Sequence, residues 1–109
     1  MTIINITPLS VNKAWQGKRF KTKKYKTYED TVLKLLPKLN IPLAPYYIEI
    51  ELGFSSKLSD IDNPIKLILD ILQKKYLIND RYIYKLKINK SIVSKGAEFF
   101  KFKIESLLK

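Results

Sequence analysis

A chain of 109 residues with 46% hydrophobic content supports one compact domain, 1–109, and holds no run of eighteen apolar residues to span a membrane. Twenty-one Lys and Arg against ten Asp and Glu leave a net charge of +11, which points to a polyanionic partner. With no Cys and no His, disulfides, thiolate zinc, cysteine nucleophiles and the commonest general base are excluded, so chemistry must rest on carboxylates, Lys, Ser, Thr, Tyr or a bound metal.

In chain order, Thr2 to Thr7 alternates loosely as a short strand ended by Pro8. Leu9 to Lys24 has the punctuation of a loop, long for this size and therefore a functional candidate. Lys26 to Leu39 is expected to be a helix, with Val32, Leu35, Leu36 and Leu39 on one apolar face and Pro37 disturbing its last turn. After a turn at Pro42 and Pro45, Tyr46 to Phe54 alternates Tyr47, Glu49 and Glu51 against Tyr46, Ile48, Ile50 and Leu52, a half-buried strand.

The second helix is the best specified. Asn63 suits an N-cap, Pro64 suits the first helical position, and Ile65, Ile68, Leu69 and Leu72 form one buried stripe, with an end near Lys75. Arg81 to Ile88 reads as a strand, and Glu98 to Ile104 is expected to pair with it after a turn at Lys95-Gly96, leaving a frayed C-terminus. The sum is α+β: a four-stranded mixed sheet packed with two helices, with the long first loop over one edge. No signal peptide is read in the first fifteen residues, and a cytoplasmic location is expected.

Charge is unevenly placed. Positions 1–28 hold Lys13, Lys18, Arg19, Lys21, Lys23, Lys24 and Lys26 and no acid. Interleaved with Trp15, Phe20, Tyr25 and Tyr28, this arm has the cations and flat rings that grip phosphates and stack on splayed bases. A solvated lysine-rich surface is the duller reading, but such a surface mixes signs.

Four of the ten acids gather around the second helix: Asp60, Asp62, Asp70 and Asp80. They are the plausible ligands for a hard cation such as Mg²⁺, with Mn²⁺ a substitute, and a cation would offset their repulsion of the nucleic acid that the arm attracts. Asp60 and Asp62, two apart in an extended approach, point to one side. Each also has a structural use: Asp62 at the positive end of the helix dipole, Asp70 in an i, i+4 pair with Lys66, Asp80 in a turn. Lys66, however, stands in the first helical turn, where the dipole disfavours a cation by up to about 1 kcal/mol, which suggests a role on the phosphate.

Taken together these segments resemble the RusA-type Holliday-junction resolvases. Pro8-Leu9-Ser10-Val11-Asn12-Lys13-Ala14-Trp15 is similar to the family's N-terminal signature, and the basic run 21–26 lies where the family is basic. Asp60-Ile61-Asp62-Asn63, Lys66 and Asp70-Ile71-Leu72 match its central Asp-x-Asp-Asn, Lys, Asp-x-Leu pattern in spacing. Asn79-Asp80-Arg81-Tyr82-Ile83 is similar to its Asp-Asp-x-Gln-Val segment, with Asn79 in place of the first acid and Tyr82 in place of the glutamine.

The resemblance implies a Mg²⁺-dependent homodimeric endonuclease that nicks opposing strands of branched, four-way DNA, without a small-molecule cofactor. It implies Asp60, Asp62 and Asp80 as metal ligands, Lys66 as phosphate stabiliser and Asp70 as a supporting acid. Asn12, Lys13, Trp15, Lys18, Arg19, Lys21, Lys23, Lys24 and Lys26 are then the DNA-binding set. Paired cuts on a two-fold junction need two acid clusters, which also favours a dimer. Its interface candidates are Tyr47, Phe54, Tyr84 and Phe100. Two other classes fit the residues: a non-catalytic binder of branched or single-stranded DNA, and a tyrosine-nucleophile strand breaker.

Overall fold

A computed structural model describes residues 1–9, 15–16, 20–62 and 64–108. In chain order the elements are β1 (Thr2–Ile4), β2 (Trp15–Gln16), β3 (Phe20–Lys21), α1 (Lys23–Leu35), β4 (Tyr46–Phe54), α2 (Ile65–Tyr76), a 3₁₀ turn (Asp80–Tyr82), β5 (Ile83–Ile92) and β6 (Phe99–Ser106). The main sheet runs β1-β6-β4-β5, with β4 antiparallel to β6 and parallel to β5. The expected α+β architecture, a mixed four-stranded sheet with two helices, is present; β2 and β3 add a small antiparallel hairpin.

The alternation in β4 does what its period requires. Ile48, Ile50 and Leu52 are fully buried, and Phe54 closes the strand on the same side. Phe100 and Phe102 of β6 join them, and both helices cover this face with Tyr25, Tyr28, Val32 and Leu36 and with Ile65, Ile68, Ile71 and Leu72, one continuous core. The other face carries Glu49, Glu51, Lys101 and Lys103 in cross-strand ion pairs of 3.7–3.8 Å, Glu51 with Lys101 and Glu49 with Lys103, as a solvated sheet face does.

Several boundaries move, each for a local reason. Thr22 caps α1 by accepting the Tyr25 N–H at 3.2 Å, so the helix starts three residues before the expected Lys26. It stops at Leu35 because Leu36, before Pro37, takes extended backbone. Pro64 is the N-cap of α2 rather than its first residue, and the expected cap Asn63 lies outside the described residues. At the other end Leu77 turns left-handed at φ 56°. Part of the expected first loop is the β2–β3 hairpin and the start of α1.

The pairing of the last two strands differs more. β6 was expected beside β5 as a hairpin, yet it inserts between β1 and β4 while β5 takes the sheet edge. A β4–α2–β5 crossover delivers β5 parallel to β4, and Phe100 and Phe102 gain full burial only in an interior strand. The lysines of β5, Lys85, Lys87 and Lys90, suit an edge. Ordered pairing of β6 also runs to Ser106, against the expected fraying. Of the four residues read as exposed interface candidates, Phe54 and Phe100 belong to the core, whereas Tyr84 is open to solvent.

Candidate active site

Helix α2 carries Lys66 and Asp70 one turn apart on one face, because i and i+4 positions align. Asp80 enters from beyond the helix: Asn79 caps the 3₁₀ turn by accepting the Arg81 N–H at 3.1 Å and so fixes Asp80 as its first residue. The two segments converge electrostatically. Burial pushes the Asp70 carboxyl above the usual range, Lys66 opposes this, and the charge of Asp80 adds to the rise. Lys21 and Glu29 also act on Asp70, so charges from β3, α1 and α2 reach this carboxylate.

Asp60 and Asp62 lie on the exposed loop between β4 and α2. The Asp62 carbonyl accepts the Ile65 N–H at 3.2 Å, joining the loop to the helix start. The loop is also tied to β5: Lys90 Nζ donates to the carbonyls of Lys57 at 3.1 Å and Ser59 at 2.5 Å, just ahead of Asp60. Sequence reading missed Lys90. Its signal is a cation in the inward phase of β5, between Ile88 and Ile92.

Carboxylates without His or Cys are the donor chemistry that suits a hard, oxygen-liganded cation. Among the described residues, however, no group of three or more acidic side chains stands close enough to enclose one. Asp70 thus lies within the electrostatic reach of Lys66 and Asp80, while Asp60 and Asp62 stand on their loop, and no three-acid group is formed among the described residues.

The basic arm is described in part. Asn12, Lys13, Lys18 and Arg19 lie outside the described residues, and Trp15 pairs through its backbone with Lys21. Lys23, Lys24 and Lys26 are exposed on the first turns of α1, available to phosphate. Lys21 is engaged within the protein. Its ammonium sits 3.1 Å from Glu29 Oε2 and 5.0 Å from the centre of the Tyr25 ring. Burial, then Asp70 and Glu29, push the Tyr25 hydroxyl up to about 12, so it stays protonated at neutral pH. Glu29 itself was not singled out by the sequence. As a carboxylate inside the Tyr25, Tyr28, Val32 stripe of α1, it broke the apolar period and was the available signal.

An α+β domain with exposed lysines on α1 and carboxylates on and after α2 carries the residue types that a DNA-cleaving enzyme uses. The family model of endodeoxyribonuclease RusA matches residues 7–98. The chain belongs to the RusA endodeoxyribonuclease family, whose members are Holliday-junction resolvases. Comparison with curated proteins gave no match. RusA nucleases are generally metal-dependent and act on DNA junctions. Among the described residues no helix is long and apolar enough to cross a membrane.

Proposed function

We propose that two copies of this chain act together on a four-way DNA junction, each nicking one of two opposing strands with Mg²⁺, for which Mn²⁺ can substitute. The observation that carries this reading is the field at the Asp70 carboxylate, on which Lys66, Asp80 and Lys21 all act. Asp60, Asp62 and Asp80, which do not stand together as a three-acid group in this structure, would supply the oxygens that hold the ion, with substrate phosphate and water completing its shell. When bound, the ion polarises the scissile phosphodiester and lowers the pKa of an attacking water.

The chain's own groups do the rest. Lys66 offsets charge developing on the phosphate, and Asp70 orients Lys66. Asn12, Lys13, Trp15, Lys18, Arg19, Lys23, Lys24 and Lys26 hold the strand by phosphate contact and stacking, while Lys21, paired with Glu29, anchors the arm from within, so junction shape governs recognition more than base edges. The work belongs to the cytoplasm, where the DNA substrate is.

The test compares four-way junction, linear duplex and single strand, each with Mg²⁺ or chelator. Paired symmetric nicks on the junction alone, abolished by chelator, are expected. Asp62→Asn is expected to lose cleavage and keep junction binding; unchanged nicking by that variant removes the ligand role. Light scattering of the eluted protein checks the dimer.

A further inference from the structure

Glu29 is the one buried charged side chain among the described residues, 8% exposed, and it joins three elements. From α1 it meets Lys21 of the hairpin at 3.1 and 3.4 Å and Lys74 of α2 at 3.3 Å. Lys74 stands one helical turn beyond Asp70, which itself stands one turn beyond Lys66, so all three share a face of α2. A carboxylate removed from water is tolerated only when paired, and here both partners come from the segments that carry the two halves of the enzyme: the arm that meets DNA and the helix that carries the site.

We infer that Glu29 is a positioning residue: it clamps the basic hairpin to α2 through Lys21 and Lys74, so that a strand gripped by the arm is presented in register with Asp70, Asp80 and Lys66. The inference rests on the junction-nuclease reading above. A stabilising ion pair alone would add to folding and leave turnover of the folded enzyme untouched. A clamp gives a different signature, because a loosened arm still binds phosphate but holds it out of register.

The experiment measures junction affinity and single-turnover nicking at saturating four-way junction for Glu29→Gln, Lys74→Met and the double variant. Each single variant is expected to lose about tenfold in nicking rate with affinity within about threefold of the parent. The double variant is expected to be no slower than the worse single one, since both cut the same link. Lys74 is solvent-facing, so its variant keeps the test decisive if Glu29→Gln does not fold. Unchanged nicking in Lys74→Met, a multiplied loss in the double variant, or a rate loss matched by lost affinity each overturns the clamp. A parent protein that leaves the junction intact overturns the function reading instead.

Discussion

Lys90 holds Ser59: the ammonium, on the edge strand β5, donates to the Ser59 carbonyl at 2.5 Å and to the Lys57 carbonyl at 3.1 Å. The same ammonium lies over the Phe54 ring, 5.8 Å from its centre, so the end of β4, the acid loop and β5 are tied at one point. Both carbonyls lie within three residues of Asp60, where the chain has no helix or strand to order it. Lys90→Met keeps the stem and removes the donors. Nicking of the four-way junction is expected to fall about tenfold, roughly 1.4 kcal/mol of lost transition-state stabilisation, with junction affinity little changed. Equal rates for variant and parent would show that the loop orders itself without this tether.

Burial raises the pKa of the Asp70 carboxyl, with Lys66 opposing the rise and Asp80 adding to it. Its folded-state pKa lies above the ordinary value, so the protonated form is favoured in the fold and the charged form costs stability at neutral pH. Folding stability from this group is fully present below the unfolded pKa and is lost as pH rises through the folded one. Asp70→Asn is therefore expected to raise the melting temperature at pH 7, with the difference shrinking as pH falls through the carboxylate range. If Asp70 orients Lys66, the same variant loses nicking. Thermal unfolding of both proteins across that range checks the sign, and a lower melting temperature for the variant at pH 7 contradicts it.

The parts that were legible in the sequence are those where one local signal dominates. The period-2 pattern of Tyr46 to Phe54 located β4 to the residue, and the i, i+3, i+4, i+7 stripe from Ile65 to Leu72 located α2. Strand partnership was not local: nothing within Phe99–Ser106 says that β4, forty-odd residues earlier, is its neighbour, and a nearby glycine turn favoured β5 instead. The acid and lysine spacing around α2 pointed to a candidate site. The side chains that steady it, Glu29 and Lys90, were hidden because each takes its meaning from partners on other elements.

Gly53 is a packing requirement of the sheet. A Cβ built there collides with the Phe99 ring, the residue opposite it in the β4–β6 register. The ring lies across the bare backbone, which only glycine leaves open. Gly53→Ala is expected to cost about 1–3 kcal/mol as the ring is displaced, and Gly53→Ala/Phe99→Ala to be less unstable than the two single costs added together. Urea denaturation of the four proteins measures the coupling, and strict additivity would mean that the ring moves aside freely.

Tyr28 poses the opposite case, a group whose removal should help. Among the described residues its buried hydroxyl has no hydrogen-bond partner of good geometry, and burial drives its pKa well up while the Leu9 backbone opposes this only in part. A phenol that leaves water without a full partner keeps the desolvation cost of an unmade hydrogen bond, about 1–3 kcal/mol, while its ring still packs in the core. Tyr28→Phe retains the ring and deletes the orphaned oxygen, so a gain of about 1 kcal/mol is expected, read as a higher urea midpoint at unchanged slope. A destabilised variant would mean that the Leu9 amide satisfies the hydroxyl and that this contact fastens the approach to the basic arm onto α1.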